Sequence, residues 1–184
     1  MDHEHHLGHS DGIESRQSSE DCLYLNLWRK TNSTNPKKAV MVFFYGGAFE
    51  IGNIFELYYD GRYLSSIGDV ILVAANYRLG PFGFMYGGGK DYDGNMGLYD
   101  MKLALEWVQE NIASFGGNPD QVTIFGESAG SMSTGALVIS PLTKGLIHRA
   151  ILESGSPNSF FASADIAKST YKTSSIYICQ QQTI

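Results

Sequence analysis

Short, mostly apolar runs of strand length recur along the chain, each bounded by polar or glycine-rich sequence. Such runs are typical of strands buried on both faces, as at the centre of a parallel sheet. Residues 22–28 instead alternate Leu23, Leu25 and Leu27 with other side chains, which is the two-residue period of a half-buried strand. The predicted buried strands are residues 39–45, 69–76, 121–125 and 148–152.

The spacing of apolar residues predicts two longer helices between these runs. The first covers residues 97–115 and ends at Gly116, because glycine tolerates the left-handed conformation that closes a helix. The second begins directly after Ser128 and continues to about Ile139, before Pro141 stops it. Strands alternating with helices predict an α/β fold, with a mostly parallel sheet and flanking helices. The apolar face of the first helix consists of Leu98, Met101, Leu105, Val108 and Ile112.

Composition and charge narrow the class of protein. With 184 residues, 43% of them hydrophobic, the chain is long enough to bury one core, as a globular domain or part of a larger one. The net charge of -6 is spread without a basic cluster, which excludes a nucleic-acid binder. No apolar run is long enough for a transmembrane helix, and the polar, acidic first twenty residues are unlike a secretory signal. Residues 1–19 are expected to form a disordered tail.

Isolated features suggest other chemistry only weakly. The histidines of residues 3–9 lack the spacing of a helical zinc motif because Leu7 stands where a histidine is needed, so a polar tail is favoured over a metal site. Cys22 and Cys179 lie far apart and form no metal-ligand pair. We expect neither metal nor cofactor. Asn32-Ser33-Thr34 is a glycosylation sequon in a polar loop, which hints at a secreted protein.

The strongest chemical motif is Gly126-Glu127-Ser128-Ala129-Gly130, which fits the pattern G-x-S-x-G. A serine at a sharp turn from strand to helix needs small residues two positions on either side, so that the strand and helix can pass closely. The pattern alone arises by chance in roughly one chain in twenty of this length. Here a predicted strand precedes the serine and a predicted helix follows it. The context predicts that Ser128 is an exposed nucleophile in a strained backbone conformation.

A second motif, Gly46-Gly47-Ala48, directly follows the predicted strand at residues 39–45. Its backbone amides are not used in sheet pairing and are free to bind an oxyanion. In hydrolases with a serine at such a turn, the amide after the nucleophile and an amide from an earlier glycine-rich loop stabilise the oxyanion. The sequence therefore predicts an oxyanion hole of Gly47, Ala48 and Ala129.

Taken together, these residues resemble the type-B carboxylesterase and cholinesterase family of α/β-hydrolases. The likeness covers about residues 19–161 and rests on several stretches in the expected order. They are residues 20–26, 45–49, 76–80, 107–117, 122–130 and 148–156. The resemblance implies a serine carboxylesterase, with Ser128 as the nucleophile and a small-molecule ester as substrate.

The resemblance also assigns roles around the serine. Glu127 matches the acidic residue beside the nucleophile that lines the active-site gorge, and Phe161 falls near the family's acyl-pocket aromatic residue. Both are expected to contact substrate. Ala48 stands where many members have a third glycine, which narrows the site and keeps the amide. Arg78 and Asp100 resemble a structural ion pair.

Departures from the family predict a partial domain. The triad acid and histidine come later in such chains, and His148, Glu153 and Asp165 are too early for these roles. By resemblance, Cys22 and Cys179 each pair with a cysteine that is absent here. Residues 20–184 are therefore expected to be part of an α/β-hydrolase domain, without its N-terminal section and the rest of its triad. The parent protein would be secreted or reside in the ER lumen.

The expected consequences for the chain by itself are low stability and little or no turnover. A parallel sheet without its later strands has an unpaired edge and uncovered apolar faces. Two alternatives remain: a cholinesterase-like adhesion or binding module without catalysis, and a fragment without any function. The intact serine motif favours the enzyme over the adhesion module.

Overall fold

The computed structural model describes residues 19–88, 94–158 and 165. The predictions for the tail up to residue 18, for Phe161 and for Cys179 lie outside these residues. Short 3-10 helices occur at Leu57–Tyr59, Ile112–Phe115 and Pro141–Thr143. In chain order the strands and α-helices are β1 (Leu25–Trp28), β2 (Lys38–Phe44), α1 (Arg62–Gly68), β3 (Ile71–Ala75), α2 (Gly80–Phe84), α3 (Met96–Asn111), β4 (Gly117–Glu127), α4 (Ala129–Ile139) and β5 (Arg149–Glu153).

The strands form one sheet in the order β1-β3-β2-β4-β5. β1 runs antiparallel to β3, and the neighbouring pairs among β2, β3, β4 and β5 are parallel. The predicted α/β fold with a mostly parallel sheet is therefore confirmed. Parallel strands bring their carboxyl ends to the same edge of the sheet, which we call the carboxyl edge, and their starts to the opposite, amino edge.

The core lies on both faces of the central strands, as their apolar sequence predicts. All five residues of β3 are buried, and so are most residues of β2. One face of α3 packs against the sheet with Met101, Leu105 and Val108 fully buried. The helical stretch then ends at Gly116, whose φ of 82° is left-handed as expected. No helix in the described part of the chain is both long and apolar enough to cross a membrane.

Two predicted strands differ from expectation. β1 begins only at Leu25, and its residues are all half-buried without alternating exposure. The reason is packing on both faces: Leu25, Leu27 and Trp28 all contact the core. β5 was predicted to be buried, but four of its five residues are exposed. It pairs with β4 alone among the described strands, so its other side is open.

Candidate functional site

Ser128 occupies the single-residue turn between β4 and α4, at the carboxyl edge. Its φ of 52° and ψ of -118° are unusual for a residue with a side chain, and such conformations cost about 1–3 kcal/mol unless the surroundings enforce them. Two hydrogen bonds hold the turn: the Ser128 amide donates to the Glu153 carbonyl (2.9 Å), and the Met132 amide donates to the Ser128 carbonyl (3.0 Å). The predicted strained turn is therefore present, with a half-buried serine.

The flanking glycines are small because β2 passes directly beside the turn. A Cβ atom on Gly130 would lie 2.0 Å from the Phe44 carbonyl oxygen, and one on Gly126 would lie 2.5 Å from the same oxygen. Real Cβ atoms do not approach backbone oxygen this closely. The structure thus supplies the steric reason for both glycines of the G-x-S-x-G motif.

The glycine-rich loop after β2 lies against the serine. A Cβ atom on Gly46 would be 2.7 Å from the Glu127 carbonyl oxygen and 3.1 Å from the Cβ of Ser128. The next two residues adopt positive φ, 115° at Gly47 and 56° at Ala48. The structure therefore brings together the two motifs, which are about eighty residues apart in sequence.

Three backbone amides are available at this junction. Among the described residues, the Gly47 and Ala48 amides have no hydrogen-bond acceptor. The Ala129 amide is the first of α4, and the first amides of a helix lack intrahelical acceptors. Ala129 follows Ser128 in the chain, and Gly47 and Ala48 follow Gly46, which packs against Ser128. The start of α4 adds the positive end of a helix dipole. The arrangement suits an anionic ligand group.

A pair of buried tyrosines holds the end of β2 where the glycine-rich loop begins. The Tyr77 hydroxyl donates to the Tyr45 carbonyl (2.6 Å), the Tyr45 hydroxyl donates to the Tyr77 carbonyl (3.3 Å), and the rings stack with centroids 4.5 Å apart. Burial raises the pKa of Tyr45 to about 12 and raises the pKa of Tyr77 further above its usual value, so both hydroxyls keep their protons at neutral pH. The pair fixes the peptide that leads into Gly46.

The carboxylate of Glu127 lies at the carboxyl edge and is exposed. One of its oxygens is 3.0 Å from the Cβ position of Gly46. Burial raises the pKa of Tyr59 to about 12. The neighbouring Tyr58 adds to this increase, and the negative charge of Glu127 adds a smaller part. Glu127 is therefore beside the glycine-rich loop.

His148 is the only histidine in the described part of the chain, and it lies at the amino edge. Its Nδ1 accepts a hydrogen bond from the Val122 amide (3.3 Å), and its own amide donates to the Val122 carbonyl (2.9 Å). Val122 precedes Ser128 by six strand residues, which span about 20 Å. His148 therefore supports β4 and is too far away to take a proton from Ser128, in agreement with the sequence analysis.

The acidic residues after the serine do not complete a triad either. Glu153 ends β5, where its side chain is exposed and its carbonyl holds Ser128. Asp165 is likewise exposed. Within the described ranges, no group of three histidine, cysteine or acidic side chains is arranged to hold a metal ion.

Arg78 and Asp100 form the ion pair that the family resemblance implies. Arg78 donates from Nε to one carboxylate oxygen of Asp100 (2.8 Å) and from a terminal nitrogen to the other (2.7 Å). The Arg78 amide donates to the same carboxylate (3.0 Å). The carboxylate raises the pKa of Arg78. The pair connects the segment after β3 to α3 and is structural.

An open cleft of about 1370 Å³ is lined in part by Tyr45 and Tyr77, and Ser128 is not among its lining residues. Cys22 lines this cleft as a free, half-buried thiol. The site described above is therefore a surface junction at the carboxyl edge and is distinct from the cleft.

Sequence reasoning missed two contributors to the site. Tyr77 lies in the stretch 76–80, which carried the family resemblance, but nothing in its spacing indicated a bond to Tyr45. The carbonyl of Glu153 holds Ser128 through its backbone. A backbone acceptor has no sequence signal, because any residue supplies one.

The sequence of the chain is similar to those of several known proteins. The chain matches the model of the carboxylesterase family over residues 3–183. It is 50% identical over 170 residues to acetylcholinesterase from Danio rerio, and the match covers 90% of this chain and 27% of that protein. It is 48% identical over 156 residues to acetylcholinesterase from Gallus gallus, covering 84% and 20%, and 54% identical over 140 residues to acetylcholinesterase 4 from Caenorhabditis briggsae, covering 76% and 23%. The chain thus spans about a quarter of the length of these relatives.

Proposed function

Because the chain belongs to the carboxylesterase family, we propose that the full-length protein hydrolyses carboxylic esters through an acyl-enzyme on Ser128. The observation that carries this proposal is the strained turn at Ser128, which packs directly against the glycine-rich loop. The Gly47 and Ala48 amides of that loop have no hydrogen-bond acceptor among the described residues. A serine with no chemical role does not need a positive φ, since a glycine would adopt it without strain.

The first chemical step is attack by the Ser128 Oγ on the ester carbonyl carbon. As the new C–O bond forms, the carbonyl electron pair moves to oxygen, and the amides of Gly47, Ala48 and Ala129 bind the resulting oxyanion. The methyl group of Ala48 narrows the site and leaves its amide in place. Collapse of this intermediate expels the alcohol, and water then releases the acid and regenerates Ser128.

A base must take the proton of Ser128, and the only histidine among the described residues, His148, lies at the opposite edge of the sheet. We infer that the histidine and the acid of the triad belong to the rest of the protein, so that residues 20–184 contribute only part of a catalytic domain. Loss of the base from a serine triad costs about a millionfold in rate. The 184-residue chain by itself is expected to turn over esters at a small fraction of the full-length rate.

Glu127 and Phe161 are proposed to contact substrate. Support for Glu127 is its exposed carboxylate beside Gly46 at the carboxyl edge. Phe161 is proposed on family resemblance alone. The substrate class is a small carboxylic ester; the three relatives are named acetylcholinesterases.

Labelling with a fluorophosphonate probe tests the proposed nucleophile. The full-length protein is expected to be labelled and its Ser128→Ala variant to be silent, while the 184-residue chain is labelled weakly or not at all. Ser114→Ala is the control, because Ser114 is an exposed serine that precedes β4 and lies at the amino edge, away from Ser128. Labelling that persists in Ser128→Ala would show that another residue is the nucleophile.

A further inference from the structure

The loop between β1 and β2 carries a motif that the proposed chemistry does not use. Asn32-Ser33-Thr34 is the only Asn-x-Ser/Thr sequence in the chain, and the residue between is not proline. Such a sequence is the acceptor for N-linked glycans when it is displayed on a surface loop of a protein in the secretory pathway.

The structure displays the two functional residues of the motif. Asn32 and Thr34 are exposed, and neither side chain makes a hydrogen bond to the described residues. The central residue points the other way: the Ser33 hydroxyl is half-buried and donates to a carboxylate oxygen of Asp69 (2.7 Å). It also accepts from the amide of Asn35 (3.1 Å). Anchoring the middle residue therefore turns the asparagine and the threonine outward together.

Asp69, which holds Ser33, is itself fixed by a second side chain. Asp69 pairs with Lys38 as well as with Ser33, and the side chain of Lys38 is only 5% exposed. These two hydrogen bonds hold the pKa of Asp69 below its usual value. The carboxylate is therefore charged at neutral pH and keeps the loop in its displayed conformation.

We propose that Asn32 is an N-glycosylation site, with a lipid pyrophosphate-linked oligosaccharide as the donor. The amide nitrogen of Asn32 forms a bond to the anomeric carbon of the first sugar and loses one proton. The bond from that carbon to the pyrophosphate oxygen breaks, and the lipid pyrophosphate leaves with the electron pair. No oxidation or reduction is involved.

A glycan at Asn32 would stand well away from the candidate active site. Trp28, at the end of β1, pairs with Leu72 near the start of β3, so the following loop lies at the amino edge. Ser128 lies at the carboxyl edge, and the length of β2 from Lys38 to Phe44 separates the two edges by about 20 Å. The glycan is therefore expected to cover the loop and to leave the reactivity of Ser128 unchanged.

Enzymatic removal of the glycan provides the test. The full-length protein, secreted from eukaryotic cells, is treated with peptide N-glycosidase in heavy-oxygen water, which converts a glycosylated asparagine into labelled aspartate. The tryptic peptide of residues 31–37 contains both Asn32 and Asn35, and Asn35 is an internal control because Pro36 follows it. Label at Asn32 and none at Asn35 is the expected result.

Single substitutions test whether the label depends on the sequon. Asn32→Gln and Thr34→Ala should each abolish the label and increase the electrophoretic mobility of the protein, whereas Asn35→Gln should change neither. Fluorophosphonate labelling of Ser128 should proceed at the same rate with and without the glycan. Recovery of the 31–37 peptide with unmodified Asn32, whether the protein is secreted or retained in the cell, would overturn the proposal and would not bear on Ser128.

Discussion

Replacing Gly130 with alanine tests whether the close approach of β2 and α4 creates the serine turn. Gly130 is the second residue of α4, and its φ is not left-handed. Helix propensity alone therefore predicts that Gly130→Ala stabilises the protein by about 1 kcal/mol. The packing predicts the opposite sign, because the new Cβ would lie 2.0 Å from the Phe44 carbonyl oxygen and 2.8 Å from the Tyr45 carbonyl oxygen.

The size of the effect follows from the distance that must be gained. An ordinary contact begins at 3.4 Å, so the helix and β2 must separate by more than 1 Å, and both obstructing atoms are backbone. Overpacking of this kind costs typically about 1–3 kcal/mol, and the rigid partner places Gly130→Ala at the upper end, near 3 kcal/mol. A displacement of about 1 Å at a reacting group also lowers rates by about a hundredfold.

Denaturant unfolding and the rate of fluorophosphonate labelling measure the two effects in the full-length protein. Gly68→Ala is the matched control: Gly68 ends α1, and its added Cβ would meet Val70 at 3.7 Å, an ordinary contact. The control should keep the labelling rate and should keep or slightly increase stability, because alanine has the higher helix propensity. Equal or greater stability of Gly130→Ala, with labelling at the parental rate, would refute the packing argument.

Three further perturbations probe the support of the site. Tyr77→Phe leaves the buried Tyr45 carbonyl without its 2.6 Å donor and should cost about 1–3 kcal/mol in denaturant unfolding, with slower labelling; unchanged values would show that the hydroxyl is dispensable. Arg78→Met leaves the Asp100 carboxylate, 4% exposed, without its cationic partner, although the backbone amide of residue 78 still donates to it. The loss should cost about 3–5 kcal/mol, more than Asp100→Asn, which leaves a guanidinium that is 40% exposed. The reverse order would contradict the burial argument. Because hydrogen bonds lower the pKa of Asp69 from its ordinary 3.8, its contribution is present above that pH and lost as the pH falls through the lower folded value. Thermal unfolding should therefore separate wild type from Asp69→Asn at pH 7 and bring them together in acid, and a constant gap would argue against the ion pair.

The central elements were predictable because their signals are local and strong. The apolar run at 39–45 became the buried strand β2, and the spaced apolar residues of 97–115 became α3 and its 3-10 extension. The helix predicted after Ser128 is α4, with the same last residue, Ile139. Where burial on both faces decides the structure, the hydrophobic pattern is sufficient.

The missed elements depend on tertiary contacts. α1 and α2 are seven and five residues long, below the length at which a helix has a periodic signal of its own. The exposure of β5 depends on which strands lie beside it, and a strand's own sequence does not encode that.

At the candidate site, sequence predicted the serine turn and the glycine-rich loop, and the structure places them in contact. The Tyr45–Tyr77 pair and the bond from Ser128 to Glu153 were not predicted, because they join residues far apart in the chain. The chemical roles of Ser128, Gly47, Ala48 and Ala129 remain predictions, as do the contacts of Glu127 and Phe161 with substrate.

Direct observation of an acyl group on Ser128 is the measurement closest to the central claim. The full-length protein would be mixed with an activated ester, quenched in acid within one turnover and digested with trypsin. The relevant peptide, residues 103–144, also contains Ser114, Ser131, Ser133 and Ser140, so fragment-ion mass spectrometry must locate the adduct. The account predicts an acyl group on Ser128 that forms before the acid product appears and decays as it accumulates. Ester hydrolysis with an unmodified Ser128 at every quench time, or with the acyl group on another serine, would contradict it.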